Sequence, residues 1–384
     1  MVSMREHFRA RPLSTALAFL FFLLAACLAP PDRALASGSL LVEDVTLSVP
    51  LGPSGQTVAL EAVIVRPADR ARHPLAVLNH GSPKDPAQRP RMTAVSMLPQ
   101  AREFARRGFA TVAFLRRGFG TSEGGFVEGV GTGSDYAASG LVAAKDIRAV
   151  IELMKTKPYV DPSRVIAVGQ SAGGLAVTAL ASEAPPGLVA AINFAGGKGW
   201  NKDNRFVNPE NVVAAFAQYG GTARVPMLFV YAENDTFFDP TWAGRFFEAF
   251  TGAGGKARFV AAPPFGKDGH FLFSRTGIPQ WTPTVDAFLA ERGLKLLDRP
   301  LPLEPQVTGV PAFLKGNCRA RFEAFLNAAP HRAFVSSPDG ACGWAAGSRT
   351  LEEALEKALE YCEEHAGEEC ESIMLDDKLY EPGN

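Results

Sequence analysis

One stretch, residues 164–181, constrains the fold more than any other part of the chain. Its apolar and mostly β-branched residues 165–168 predict a buried strand, and an alanine-rich helix is predicted to follow at once. Between strand and helix lies Ser171, flanked by Gly169 and Gly173. Glycines are needed at these positions because a side chain there would collide with neighbouring backbone in so tight a turn. The pattern predicts an exposed, nucleophilic serine at the end of a strand.

Strands and helices alternate along most of the chain, which predicts the α/β class. Residues 41–48 and 58–65 are β-rich and predict an antiparallel hairpin at one edge of a sheet. The other predicted strands are residues 74–79, 110–115, 165–168, 188–194, 225–231 and 257–261, and the predicted helices are residues 97–107, 134–157, 211–219, 241–250 and 282–291. This order predicts one large domain over residues 40–297, with a mainly parallel sheet and helices on both faces.

A second, smaller domain is predicted after the sheet. Residues 298–311 are rich in proline and lack periodicity, which predicts a stiff linker. Residues 312–384 contain both helical and strand patterns, with a clear amphipathic helix at 351–364, and predict a small α+β domain. A core of this size is marginal by itself, so we expect covalent cross-links.

Four of the five cysteines lie in this small domain: Cys318, Cys342, Cys362 and Cys370. An even number confined to one region indicates two disulfide bonds rather than a redox or metal site. Three pairings are conceivable, and the one that closes the shortest loops joins Cys362 to Cys370 and Cys318 to Cys342. Since the sequence has no typical zinc motif, we predict no metal ligand.

Residues 1–36 are typical of an export signal. Arginines precede an uncharged apolar run at 13–29 that is slightly short for a membrane span. Two processing sites are open: cleavage after Ala36, or a lipoprotein-type site at Cys27, which would attach a lipid and associate the protein with a membrane. We therefore expect a periplasmic or secreted protein, with a form anchored at Cys27 as the alternative.

The partners of Ser171 can be sought by elimination, because a serine hydroxyl needs a base and the base needs an orienting group. Of the six histidines, His270 alone follows Ser171 within the large domain. For the orienting acid we choose Asp235, which lies just after a predicted strand. Glu233 is the second candidate, and Asp268, on the same loop as His270, is the third.

An oxyanion hole needs two backbone N–H groups aimed at the developing negative charge. The residue after the nucleophile, Ala172, is predicted to supply one of them. The loop after the first parallel strand should supply the other, and there we assign the N–H of Ser82. His80 precedes this loop and is interpreted as a brace for it rather than as a second base.

Aromatic and basic side chains in the loops at the same edge are candidates for substrate contacts. We assign Phe119 and Trp200 to an apolar pocket for the acyl or leaving group. Arg116 and Arg117 end a predicted strand there, and either form ion pairs that fix the loop or bind a carboxylate of the substrate.

Taken together, these motifs make residues 41–292 resemble an α/β-hydrolase of the dienelactone hydrolase and prolyl-oligopeptidase-like group. The residues that carry the resemblance are 80–82, 117–122, 169–174, Asp235 and 268–270. The sequence departs from dienelactone hydrolases in having serine where they have cysteine, and from prolyl oligopeptidases in lacking a preceding β-propeller. The small domain resembles a cysteine-containing domain found fused to exported bacterial hydrolases, in residues 333–340 and 343–344.

The resemblance implies an exported serine hydrolase that cleaves a carboxylic ester through an acyl-enzyme and needs no cofactor. A serine peptidase of the prolyl-oligopeptidase-like type, an acyltransferase and a non-catalytic binding protein are the alternatives. The expected partner is a small ester or peptide substrate. With a net charge of −1, the chain has no electrostatic reason to bind nucleic acid.

Overall fold

A computed structural model of the chain describes residues 39–51, 53–129, 134–294, 297–303, 307 and 309–380. The proposed export signal at 1–36, including Cys27, lies outside the described residues. Among the residues that are described, no helix has the length and apolar character needed to cross a membrane.

A mixed sheet of eight strands forms the centre of the large domain. In chain order the strands are β1 (Leu40–Val49), β2 (Val58–Pro67), β3 (His73–Asn79), β4 (Ala110–Phe114), β5 (Val160–Gln170), β6 (Leu188–Phe194), β7 (Met227–Ala232) and β8 (Ala257–Ala262). Their order in the sheet is β1-β2-β4-β3-β5-β6-β7-β8. Pairing is antiparallel between β1 and β2 and between β2 and β4, and parallel from β4 to β8. The predicted mainly parallel sheet with an edge hairpin is confirmed.

Helices cover both faces of this sheet. They are α1 (Leu98–Arg106), α2 (Tyr136–Lys155), α3 (Ala172–Glu183), α4 (Pro209–Thr222), α5 (Pro240–Gly252) and α6 (Ile278–Glu291). Successive β5 side chains point to opposite faces, so Val165 packs in the core beneath α2 to α5 and Ile166 in the core beneath α1 and α6. Burial on both faces explains why residues 165–168 of this strand are a continuous apolar run.

The small domain contains a separate four-stranded antiparallel sheet. Its elements are α7 (Asn317–Leu326), β9 (Ala333–Ser336), β10 (Cys342–Ala345), α8 (Leu351–Glu363), β11 (Glu371–Leu375) and β12 (Lys378–Leu379), with sheet order β10-β9-β11-β12. Disulfide bonds join Cys318 to Cys342 and Cys362 to Cys370, which is the predicted pairing. The first links α7 to β10, and the second links the end of α8 to the start of β11.

Ion pairs hold the small domain against the large one, and the described residues from 39 onward form one compact unit. The Asp377 carboxylate lies 3.1 Å from Arg102 of α1 and 2.8 Å from Arg332 of the small domain. His331 Nε2 lies 3.2 Å from the carboxylate of Asp44 on β1. The hydrogen bond and charge of Asp44 raise the pKa of His331 above its usual value, so this contact is strongest when the ring is protonated.

Candidate active site

Ser171 occupies the turn between β5 and α3 in a strained conformation, with φ 55° and ψ −122°. This region of backbone space favours glycine and is costly for any residue with a Cβ. The strain persists because the turn is packed from two sides: a Cβ on Gly173 would lie 2.4 Å from the Asn79 carbonyl oxygen, and one on Gly169 would lie 2.1 Å from the Gly173 carbonyl oxygen. The glycine spacing read from the sequence therefore has a steric cause.

A histidine and a carboxylate are paired at the carboxyl ends of two other strands. Asp235 follows β7, and His270 lies in a short 3₁₀ turn after β8. His270 Nδ1 is 3.2 Å from both carboxylate oxygens of Asp235, and both side chains are buried. Asp235 Oδ1 also accepts the backbone N–H groups of Phe237 and Phe238, at 2.8 and 2.9 Å. The carboxylate is thus fixed, and it orients the ring with the proton on Nδ1 and the Nε2 lone pair free to act as a base.

His270 is held next to the serine turn through its backbone and its ring face. The side-chain amide of Gln170, the residue before Ser171, donates to the His270 carbonyl oxygen at 2.9 Å. The Phe237 ring stacks on the imidazole with ring centres 3.9 Å apart. Within the described residues no hydrogen bond joins Ser171 Oγ to the His270 ring. In hydrolases without substrate this contact is often long and shortens in the complex.

The two other carboxylates weighed from the sequence have different positions. Glu233 is exposed to solvent. Asp268 accepts the Thr236 hydroxyl at 2.6 Å and the His270 backbone N–H at 3.0 Å. Asp268 therefore caps the turn that carries His270 and does not pair with its ring. Of the three candidates, Asp235 is the one beside the imidazole.

The loop after β3 lies against the serine turn, and Ser82 and Ala172 line the same cavity as Ser171. Ala172 is the first residue of α3, where backbone N–H groups have no partner within the helix. This leaves them available to an oxyanion, and the helix dipole favours negative charge there.

His80 braces that loop. Its Nδ1 donates to the Gly81 carbonyl oxygen at 2.6 Å, and its Nε2 accepts the Arg116 backbone N–H at 3.1 Å. Burial and the neighbouring Arg116 charge lower the pKa of His80 to about 3, so the ring is neutral. With both ring nitrogens engaged, His80 has no lone pair to offer a nucleophile.

Both arginines at the end of β4 form ion pairs. Arg117 pairs with the buried Asp146 at 2.7 Å. Arg116, fully buried, donates through Nε to Glu128 at 2.5 Å, and Lys198 reaches the same carboxylate at 3.1 Å. Burial alone would raise the pKa of Glu128, but the charges of Arg116 and Lys198 outweigh it and lower this pKa to about 2.

A cavity of about 420 Å³ opens beside Ser171. Trp200 lines it, as expected, and the indole N–H of Trp200 donates to the Phe237 carbonyl oxygen at 2.8 Å. Phe119 does not line this cavity. It is fully buried with its ring against His80 at 4.6 Å, so the expected substrate contact of Phe119 is replaced by a packing role under the loop.

Sequence reasoning missed Glu128 and Lys198. Lys198 follows β6, at the same edge of the sheet as the serine, and that placement was the one available signal for it. Glu128 lies in the connection between β4 and α2 and has no pattern of its own.

The chain was compared with known proteins. The model of the family described as "X-Pro dipeptidyl-peptidase (S15 family)" matches residues 55–255, which is just over half of the chain. This match includes Ser171 and Asp235 and ends before His270. No curated protein matches the sequence.

Several solved structures are similar to this chain. Esterase Pf2001 of Pyrococcus furiosus is 16% identical over 66% of this chain and 93% of its own, with a TM-score of 0.46. An acylaminoacyl peptidase of Pyrococcus horikoshii is 16% identical over 68% of this chain and 43% of its own, with a TM-score of 0.47. A cold-adapted esterase from an Arctic intertidal metagenomic library is 17% identical over 66% of this chain and 94% of its own, with a TM-score of 0.44.

Proposed function

We propose that this chain, which belongs to the X-Pro dipeptidyl-peptidase (S15) family, is a serine hydrolase that cleaves carboxylic esters with Ser171, His270 and Asp235. The observation that carries the proposal is the buried His270–Asp235 pair, with 3.2 Å between Nδ1 and both carboxylate oxygens. A buried imidazole that is oriented by a carboxylate, next to a strained serine at a helix start, is the arrangement that activates a hydroxyl.

The proposed reaction has two halves. His270 Nε2 takes the proton of Ser171 Oγ, which attacks the ester carbonyl carbon, and the N–H groups of Ala172 and Ser82 stabilise the oxyanion. His270 then protonates the departing alcohol, leaving an acyl group on Ser171. Water, deprotonated by His270, attacks this acyl-enzyme and releases the carboxylic acid. Throughout, Asp235 keeps the ring oriented and stabilises its protonated form.

A fluorophosphonate probe tests the role of Ser171 in the folded protein. We expect the wild type to be labelled and to hydrolyse p-nitrophenyl butyrate, and the Ser171→Ala variant to do neither. Ser163→Ala, on the opposite end of β5, is the matched control and should be labelled like the wild type. An unlabelled wild type, or labelling that persists in Ser171→Ala, would reject the proposal.

The family description favours a second candidate, a peptidase that removes X-Pro dipeptides. A comparison of kcat/KM for p-nitrophenyl esters and for X-Pro p-nitroanilides separates the two reactions. We expect the ester to be the better substrate by more than its greater chemical reactivity explains. A larger enzymatic rate enhancement for the X-Pro amide would favour the peptidase.

We also propose that the enzyme acts outside the cytoplasm. The two disulfides indicate an oxidising compartment, and residues 1–36 would direct export. Residues 312–384 would form an accessory domain joined by the 298–311 linker. The mass of the mature protein from an exporting host distinguishes cleavage after Ala36 from a lipid on Cys27.

A further inference from the structure

We propose that the cavity beside Ser171 selects esters that carry a carboxylate. This inference rests on the proposed function, because it names the substrate class of the same site. It is carried by the distribution of charge around the cavity.

The cavity wall carries far more positive than negative charge. Among the described residues that line it, the cationic ones are Lys84, Arg89, Lys198 and Lys202, and the acidic one is Asp203. The exposed Asp203 carboxylate also faces Arg205 at 3.6 Å. A protonated amine would therefore meet repulsion in this cavity, whereas a carboxylate would meet several unbalanced cations.

Behind the cavity wall, the Glu128 carboxylate pairs with more than one cation. Glu128 accepts hydrogen bonds from Arg116 and Lys198, as described above, and Arg89 lies in the same group, with its guanidinium 3.5 Å from the centre of the Phe126 ring. The Lys198 ammonium lies 5.8 Å from the centre of that ring. Arg89, Arg116 and Lys198 thus lie around the single carboxylate of Glu128, so positive charge is in excess close to the cavity.

Two donors of this group lack acceptors. Arg89 Nε and Arg116 Nη2 are buried and have no hydrogen-bond partner among the residues that the structure describes. A buried guanidinium nitrogen without an acceptor is unfavourable and calls for an explanation. Both atoms are closed off from the cavity, but other parts of the Arg89 side chain line it, so an anion bound there would supply negative charge to this cationic group.

Lys84 brings a cation close to the reacting groups. Its ammonium lies 4.0 Å from the centre of the Phe237 ring, whose centre in turn lies 3.9 Å from that of the His270 ring. It also lies 4.8 Å from the centre of the Trp200 ring and donates to the Asn204 side chain at 2.9 Å. These contacts hold the ammonium at the cavity wall, where it can contact a carboxylate a few carbon atoms from the scissile carbonyl.

The test compares three methyl esters of similar length by titration of the acid released: monomethyl glutarate, neutral methyl pentanoate and cationic methyl 4-(trimethylammonio)butyrate. We expect kcat/KM to fall in that order, with a factor of about 10 to 100 between the anionic and neutral esters, because a charge-assisted hydrogen bond has that strength. An equal or higher value for the neutral or cationic ester would overturn the inference.

The variants Lys84→Gln and Arg89→Gln test whether these cations supply the preference. We expect the anionic-to-neutral ratio of kcat/KM to fall about tenfold or more in at least one of them. Lys256→Gln, an exposed residue just before β8 at the far edge of the sheet, is the matched control and should leave the ratio unchanged. A preference that survives in both cavity variants would overturn the inference.

Failure of this inference can be told from failure of the proposed function. If Ser171 is labelled and methyl pentanoate is hydrolysed without any preference for the anion, the serine hydrolase stands and the carboxylate specificity is wrong. If neither labelling nor hydrolysis occurs with any of the three esters, the proposed function itself fails.

Discussion

The Asp235→Asn substitution tests the candidate triad most directly, because the surroundings of Asp235 fix how the new amide would lie. Oδ1 of Asp235 accepts two backbone N–H groups, from Phe237 and Phe238. The asparagine oxygen should keep these bonds, which puts the amide nitrogen at the Oδ2 position, 3.2 Å from His270 Nδ1. The oxygen at the Oδ1 position is also 3.2 Å from Nδ1, but its two lone pairs are taken by the two backbone N–H groups. The donor at the Oδ2 position therefore favours the imidazole tautomer in which Nδ1 accepts and Nε2 carries the proton. That tautomer cannot deprotonate Ser171.

The expected loss of rate follows from the cost of the opposite amide orientation. Flipping the amide would restore the active tautomer but leave two buried N–H groups without acceptors, at about 1–3 kcal/mol each. At 1.36 kcal/mol per factor of ten, the active form would be disfavoured by about 30-fold at least and about 3 × 10⁴-fold at most. We therefore expect kcat to fall by a factor in this range while folding is preserved, since asparagine is isosteric with aspartate.

The assay is kcat for p-nitrophenyl butyrate, with thermal unfolding followed by circular dichroism to check the fold. Glu233→Gln is the matched control, because Glu233 is close in sequence, exposed and also follows β7. We expect it to retain near wild-type kcat. Retention of more than a tenth of the activity by a folded Asp235→Asn variant, or an equal loss in Glu233→Gln, would refute the proposed role of Asp235.

Three further outcomes can be measured as melting temperatures. His331 has a raised pKa in the folded state, so its ion pair with Asp44 should stabilise the protein fully below about pH 6.5 and be lost as the pH rises through the folded-state value. Asp44→Asn should make the melting temperature depend less on pH. The free energy of unfolding should change by about 0.5 kcal/mol or less, because Asp44 is half exposed and solvent screens its charge. Removing the Cys318–Cys342 disulfide, which closes a loop with a sequence separation of 24, should lower the free energy of unfolding by about 3 kcal/mol. Gly173→Ala should prevent folding or lower the melting temperature steeply, whereas an unchanged value would contradict the steric reading of the serine turn.

The sequence predicted the large domain well because its signals are local. The β5 run is apolar on both faces, so a strand and its burial could be read without neighbours. Two strands of the small domain were missed: β12 has two residues, too few to show an alternating pattern, and β10 contains Gly343 and Ala345, which are uncommon in strands. Helix α6 begins at Ile278 rather than near 282, because Pro279 lies in the first turn, where a missing N–H costs nothing.

In the candidate site, too, some residues could be predicted from the sequence and others could not. Elimination singled out His270, whereas the end of a predicted strand offered both Asp235 and Glu233, and topology implied only that a carboxylate from this strand end would lie near the imidazole. The position of Phe119 could not be read, since a loop aromatic can face either a cavity or the core beneath the loop. The Glu128 and Lys198 contact joins residues 70 apart in the chain, and one sequence contains no signal for such a pair.

The positive φ of Ser171 bears on the stability of the protein. A positive φ costs serine on the order of 1 kcal/mol that glycine would not incur. Glycine at position 171 would relieve this cost, so under the proposed function the serine hydroxyl is kept at the expense of stability. If the proposed function is right, a substitution that relaxes this turn should raise the melting temperature and abolish activity together, so stabilising substitutions belong on surfaces away from the cavity.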